Sequence, residues 1–371
     1  MDRVLVTGGA GFIGQRTALA LNRRGYAVRL FDQLASRVHA REEWPDGLTS
    51  SFECVRGDVR ARDELLNALR GVVAVVHLAA YQDYLPDFST FLTTNAAATA
   101  LLYELIVSER LPIQRVVIAS SQAVYGEGAY ACDEHGLQFP NARSLDQLER
   151  RDWEIRCKVC AQELAWRPTD ETVVNPQNPY GISKLSQELV GIHLGRRYGI
   201  PTVALRYSIT QGAGQSFRNA YSGICRIFSS CAIHGQPFPV YEDGQQRRDY
   251  VYVEDVVAAN VLALTGDCPA YEVFNVGGQE AISVLDYARV VSTVAGVDLP
   301  IDLRARFRVG DTRHVVSTSG KLRALGWRQT KSVAEIVQEY LDWARLQAPP
   351  KGVTETAQAE MRRLGAVRTA G

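Results

Sequence analysis

Lysine is scarce in this sequence. Only Lys158, Lys184, Lys321, Lys331 and Lys351 stand among 41 basic residues, and arginine supplies the rest. The 41 acidic residues bring the formal net charge to zero, which argues against a polybasic face for nucleic acid or for an anionic membrane. Long apolar runs are missing too. No stretch reads as long enough to span a bilayer, which takes about 20 residues. Seven cysteines in 371 residues are too few and too unevenly spread for a disulfide framework, and they point to a reducing compartment. Cys54, Cys225, Cys231 and Cys268 read as packing residues. Met1-Asp2-Arg3 leads straight into Val4-Leu5-Val6 with no secretory pattern, so a cytoplasmic protein with no membrane partner is expected. The scarcity of lysine also makes Lys184 a less casual occurrence.

Apolar residues make up 46% and charged residues 22%, enough for one large domain or a domain with a lobe. Short apolar runs over 3–6, 27–31, 52–56, 72–77, 115–119 and 201–206 read as strands. Helical patterns over 12–24 and 180–198 lie between them. Such alternation implies an α/β fold, a doubly wound parallel sheet with helices on both faces. Beyond about residue 211 the rhythm loosens, with helices expected near 221–233, 253–264, 284–294 and 333–345. We expect a first domain over 1–210 carrying an insert at 129–168, a smaller lobe over 211–346, and a mobile tail over 347–371 that is poor in apolar periodicity.

Between the first strand and first helix lies Thr7-Gly8-Gly9-Ala10-Gly11-Phe12-Ile13-Gly14. A turn without Cβ atoms lets backbone approach a pyrophosphate, and the helix start supplies N–H donors. The glycine spacing is one residue wider at its first step than the usual dinucleotide fingerprint. Asp32, eighteen residues beyond Gly14 at the end of the second strand, strengthens it. A carboxylate there accepts ribose hydroxyls and repels a 2′-phosphate, which selects NAD. Asp58, with Val59, follows the third strand and could face the adenine; a loop Asp capping the next helix is an equally open reading.

Tyr180-Gly-Ile-Ser-Lys184 places a phenol and an ammonium on one helix face. A neighbouring ammonium favours the phenolate and so makes tyrosine a usable general base. With the wide glycine turn, this pair resembles the extended short-chain dehydrogenase/reductase family, the nucleotide-sugar epimerases and dehydratases, over about residues 1–343. The resemblance implies a Rossmann-type sheet with a C-terminal substrate-binding lobe. It assigns Leu78, Ala79 and Ala80 after His77 to a cofactor-lining turn, and Asn95 to the opening of a helix. It assigns Ser121 of Ser120-Ser121-Gln122-Ala123-Val124-Tyr125-Gly126 to the reacting hydroxyl, with Gln122 beside the substrate. Tyr207 falls on the strand that reaches toward the nicotinamide. Arg248 and the Arg308-Val309-Gly310-Asp311 segment fall where the family holds a nucleotide diphosphate, a role that suits bidentate, permanently charged arginine. The resemblance further implies a homodimer formed through helices near 96–108 and 180–198.

In such a family the shared step is oxidation of a sugar carbinol, usually at C4. The family's dehydratases carry an Asp-Glu pair directly after the Ser/Thr, and its decarboxylases a Glu at the second of those positions. Here Gln122 and Ala123 stand there, and neither can act as an acid or base. The segment also lacks the Cys of the 3,5-epimerising reductases. A 4-epimerase, which needs only Ser121, Tyr180 and Lys184, is what remains. Ser208, Ile209 and the region near Thr318 depart from the family pattern. A UDP-sugar 4-epimerase, a decarboxylase, a dehydrogenase, and a non-catalytic NAD-binding regulator stay open as alternatives.

The 129–168 insert carries Cys132-Asp-Glu-His135 and Cys157-Lys-Val-Cys160 around a helical-looking stretch at 145–153. Two ligand pairs of this spacing fit a closed, tetrahedral Cys3His zinc site of structural type; reduced cysteines in a flexible loop are the other reading. The insert, together with Asn219-Ala-Tyr221-Ser-Gly223 and Glu242-Asp-Gly244, resembles the dTDP-L-rhamnose 4-epimerase subgroup. Joining the Ser121 segment to Tyr180, it would form a lid over the sugar.

Overall fold

The computed structural model describes residues 2–36, 38–39, 42–83, 85–217, 223–266, 268–347, 352, 359 and 361–370. Seven short runs form one sheet: β1 (Arg3–Thr7), β2 (Ala27–Asp32), β3 (Glu53–Arg56), β4 (Ala74–His77), β5 (Arg115–Ser121), β6 (Thr202–Tyr207) and β7 (Glu272–Val276). Their order is β7-β6-β5-β4-β1-β2-β3, and every adjacent pair is parallel. Successive side chains enter opposite cores. Val4 and Val6 join one, Leu5 the other; Val117 joins the first, Val116 and Ile118 the second. Both faces are covered, so the strands read as continuous apolar runs rather than as alternation. Helices α1 (Phe12–Asn22) and α4 (Val253–Leu264) fill the first core, and α2 (Ala98–Ser108) and α3 (Pro179–Tyr198) the second.

The chain leaves β1 in one direction across the sheet and β4 in the other, which opens a crevice at their carboxyl ends. Residues from the β6–β7 connection together with the chain after β7 build the smaller lobe. Its core is aromatic, with Phe228, Phe238, Tyr287 and Tyr340 buried together. Strand Arg247–Tyr252 organises it, pairing with Ile209–Gln211, Ala281–Ser283 and His314–Val315. The insert forms its own three-stranded antiparallel sheet, with Ala129–Cys132 between Gly136–Gln138 and Ala165–Arg167.

Four expectations change. The tail is ordered where it is described: Val367–Thr369 pairs with Arg306–Arg308, and Met361, Val367 and Ala370 are buried. A three-residue edge strand is too short for periodicity to reveal. Asn95 does not open a helix but sits in a π-helical turn, Leu92–Ala97, inside a helical run that begins at Phe88. That run, Phe88–Ser108, is apolar and long enough by composition to cross a membrane, though half of its most apolar window is buried within the fold; interspersed Thr and Asn residues hide this from a search for unbroken apolar stretches. The insert helix is one turn, Leu145–Glu149, and does not extend to 153. Residues 219–222 of the subgroup motif lie outside the described residues.

Candidate active site

The glycine turn is built from close backbone contacts. Gly8 has φ +68°, and a Cβ there would lie 2.9 Å from the Ala79 nitrogen; a Cβ on Gly14 would lie 2.2 Å from the Gly8 carbonyl oxygen. Side chains are excluded at both places, so the turn meets the loop after β4, and the first turn of α1 meets the glycine turn, backbone to backbone. Asp32 ends β2, accepts N–H bonds from Ala10 (3.1 Å) and Leu34 (2.9 Å), and lies 3.7 Å from His39 Nε2. This cradle of glycine backbone, helix N-terminus and carboxylate fits a dinucleotide. Gly8, Gly11, Phe12, Ile13, Gly14, Leu78 and Ala80 line the cleft, and Ala79 supports it from beneath Gly8.

Asp58 and Val59 are not brought to the cleft. Val59 is buried in the second core, and Asp58 pairs with Arg60, its carboxyl held below the usual range despite the cost of burial. The side chain that reaches the cleft wall there is Arg60. Asp58 also accepts the Arg60 N–H at 2.9 Å, a local turn contact that competes with any ligand.

Helix α3 carries the proposed base. Asn178 caps it by accepting the Gly181 N–H at 2.8 Å, Pro179 presets its first turn, and Gly199 ends it at φ +68°. A Cβ on Gly181 would lie 2.5 Å from the Ala123 carbonyl oxygen, so this glycine lets the helix start press against the Ser121 segment. Ser121, Gln122, Tyr180 and Lys184 all face one cleft of about 1410 Å³. That exceeds the 300–1,000 Å³ typical of a single small-molecule site and leaves room for a dinucleotide and a second large ligand. Ser121 Oγ accepts the Ala123 N–H at 3.2 Å. Gln122 Oε1 is buried and has no hydrogen-bond partner among the described residues.

Lys184 is buried, and its Nζ donates to Ala119 O (2.8 Å) and Gln187 Oε1 (2.9 Å), 5.9 Å from the centre of the Tyr180 ring. Desolvation pulls its pKa down to about 7. Gln187 donates to Thr99 Oγ1 (3.0 Å), which lies 3.1 Å from His77 Nε2, while His77 Nδ1 lies 2.8 Å from Thr7 Oγ1. Burial and then the Lys184 charge push His77 down to about 3. A neutral histidine therefore ties the end of β1 to α3. Asn95 does comparable work, bonding both the N–H and C=O of Tyr81 (2.7 and 3.0 Å) and Ser183 Oγ (2.9 Å). Sequence reading missed Thr99, Gln187 and Ser183, because their partners lie up to 88 positions away.

Tyr207 lines the cleft, but its hydroxyl turns inward to Asn260 Oδ1 at 2.5 Å, and burial raises its pKa. Beside it, Arg206 is buried against Glu188 (2.6 Å), which also accepts from Ser120. The departure at Ser208 has a structural reason. Ser208 and Ser317 both donate to the buried Asp249 (2.6 and 2.7 Å), beneath the lobe's central strand.

Arg248, Arg308 and Asp311 come together on the lobe side of the cleft. Arg248 lies 3.5 Å and Arg308 3.9 Å from the Asp311 carboxylate, and Arg308 lies over Tyr241. Carbonyls of Thr312 (2.6 Å) and Arg313 (2.9 Å) aim the Arg248 guanidinium. Behind it is a charged joint that sequence reading did not find. Arg143 of the insert makes a two-pronged, fully buried pair with Glu242 (2.8 and 2.9 Å) and donates to Asp311 O (3.1 Å); Arg313 binds Glu154 of the insert, Glu242 and Asp243. The four insert residues Cys132, His135, Cys157 and Cys160 also converge, their ligand atoms all within 4.8 Å of one another.

The family model described as NAD dependent epimerase/dehydratase matches residues 4–144 and 160–277. The chain is 33% identical over 352 residues to the dTDP-L-rhamnose 4-epimerase of Burkholderia thailandensis, covering 92% of this chain and 94% of that one. Among solved structures it is similar to the UDP-glucose 4-epimerase of Thermotoga maritima with UDP-glucose (TM-score 0.75, 26% identity, 93% of this chain and 99% of that one). It is also similar to the UDP-glucose 4-epimerase of Thermus thermophilus with NAD (TM-score 0.71, 27% identity, 92% and 99%).

Proposed function

The chain belongs to the NAD dependent epimerase/dehydratase family, and from that premise we propose that it is a nucleotide-sugar 4-epimerase acting on a dTDP-6-deoxy sugar such as dTDP-L-rhamnose. The observation that carries this reading is the content of the cleft. Ser121, Tyr180 and Lys184 face it together, while the two positions after Ser121 hold Gln122 and Ala123. The family's dehydratases carry an Asp-Glu pair at those positions and its decarboxylases a Glu at the second. Epimerisation at C4 needs neither.

The cradle of Gly8, Gly11, Gly14 and Asp32 would hold NAD. Bound there, NAD supplies a reversible hydride acceptor. The chain's own residues handle the proton. Tyr180 takes it from the C4 hydroxyl as the carbinol is oxidised and gives it back on reduction. Ser121 holds the same hydroxyl, and Lys184 keeps positive charge beside the phenolate. Gln122, its buried carbonyl without a partner among the described residues, would bind a sugar hydroxyl. Arg248 and Arg308 would hold the diphosphate, leaving the sugar free to present either face of C4. Helices α2 and α3 would pair two copies, since Ile182 and Leu189 on α3, with Phe88 and Leu92 ahead of α2, are exposed; light scattering giving a monomer mass would exclude this.

Tyr180→Phe tests the reaction. We expect kcat to fall by about 10²–10⁴-fold with NAD content and fold unchanged, measured by nuclear magnetic resonance of dTDP-L-rhamnose and a panel of UDP-sugars. Unchanged turnover in this variant would overturn the assignment of the base.

A further inference from the structure

We propose that Cys132, His135, Cys157 and Cys160 bind one structural zinc ion, and that this ion sets the position of Arg248 in the cleft. The geometry of the four ligands carries the first part. A tetrahedral zinc with Zn–S of about 2.3 Å and Zn–N of about 2.0 Å has sulfur–sulfur edges of about 3.8 Å and sulfur–nitrogen edges of about 3.5 Å. Cys132 and Cys160 sulfurs stand 3.7 Å apart, and His135 Nδ1 stands 3.5 Å from Cys132 Sγ and 3.7 Å from Cys157 Sγ. Neutral thiols in van der Waals contact would have no reason to take up these three matching edges, with all four ligand atoms within 4.8 Å of one another.

Two facing turns present the ligands. Cys132 and His135 flank the hairpin turn between Ala129–Cys132 and Gly136–Gln138, where Gly136 has φ +68°. Cys157 and Cys160 lie in a second turn closed by Ala161 N to Cys157 O (3.0 Å) and Cys157 N to Gln162 O (2.8 Å). The Val159 N–H points at Cys157 Sγ (3.5 Å), and Gln138 Nε2 donates to the same sulfur at 3.0 Å. Such donors offset thiolate charge around a metal. All four positions of the ion are filled by protein, so it has no open site for chemistry. The insert also needs it: of the five buried apolar residues at its centre, two are Cys132 and Cys157 themselves, beside Tyr130, Ile155 and Leu164. So small a core does not order a segment of this length.

Two contacts lead from the metal ligands to the cleft. Glu154 lies three residues before Cys157 and grips Arg313 and His314. Tyr130, two residues before Cys132, accepts the His314 N–H through its hydroxyl at 3.1 Å. The carbonyls of Arg313 and Thr312 in turn aim Arg248. The ion thus fixes both insert segments that hold the 312–314 segment, the strand of Tyr130 and the stretch of Glu154 that leads into Cys157. This second part rests on the reading of Arg248 as a diphosphate ligand; the metal site does not.

Elemental analysis of the full-length protein, purified without chelator, should give one zinc per chain, falling at least tenfold in Cys160→Ser. Replacement by cobalt should give the intense visible bands and thiolate charge transfer of a tetrahedral sulfur-rich site. No stoichiometric metal, together with free reaction of Cys132, Cys157 and Cys160 with a thiol reagent in the folded protein, would overturn the site, and this readout does not depend on the variant folding. Extracting the zinc should weaken dTDP binding about tenfold by calorimetry while NAD content is retained, and zinc alone, added back, should restore it. Unchanged dTDP affinity after zinc loss would overturn the positioning role. Failure of sugar turnover with zinc and dTDP binding intact would instead count against the epimerase reading alone.

Discussion

At the scale of single residues, Lys184 is held at a cost. Burial withdraws its ammonium from water and lowers its pKa from 10.5 to about 7. Between those values the unfolded chain keeps a proton that the folded, ligand-free chain has released. Stability therefore rises with pH across that window, and the penalty is fully present only below about pH 7. Thermal melts of the cofactor-free protein between pH 7 and 10 should show this rise, and Lys184→Met should flatten it relative to the parent. Parallel pH profiles in the two proteins would mean that Lys184 titrates normally. A charge kept in the cleft at such a penalty fits a role in the reaction better than one in folding. The neighbouring glycines were legible from sequence because their demand is local. Gln187, Thr99 and His77 were not, since their chain depends on three elements meeting.

At the scale of elements, α3 shows how capping serves chemistry. Its start is fixed by Asn178, Pro179 and Gly181 within four residues, and Tyr180 stands inside that turn. Asn178→Ala should lower stability by about 1 kcal/mol, measured by chemical denaturation, and should reduce kcat as the first turn loosens. A loss of stability with full activity would show that Tyr180 is placed by packing instead. The α3 pattern and the six early strands could be read from sequence, because apolar runs bounded by glycine and proline are local signals. The π-helical turn at Asn95 could not, since an inserted residue leaves composition unchanged. Nor could the strand Val367–Thr369, whose partner Arg306–Arg308 lies some sixty residues away.

At the scale of the molecule, three parts meet around one cleft. The sheet brings the dinucleotide cradle and Tyr180, the lobe brings Arg248 and Arg308, and the insert braces the lobe through Arg143 and Glu154. Arg143 and Glu242 are both buried. Breaking such a pair by removing one partner costs about 3–5 kcal/mol, so Arg143→Ala should destabilise the protein by that order in urea unfolding and raise KM more than it lowers kcat. The insert's ligand spacing was visible in the sequence, but its grip on the lobe was not, because arginine-to-carboxylate joints between distant segments leave no periodic trace. The central claim is a reversible oxidation at C4 with nothing lost from the sugar. Its most direct test is to incubate the purified protein with dTDP-L-rhamnose and the UDP-sugar panel, following the sugar by nuclear magnetic resonance and the cofactor by absorbance. An equilibrium mixture of one substrate and its C4 epimer with no net NADH is expected; an accumulating keto product with NADH, or release of carbon dioxide, would rule out 4-epimerisation.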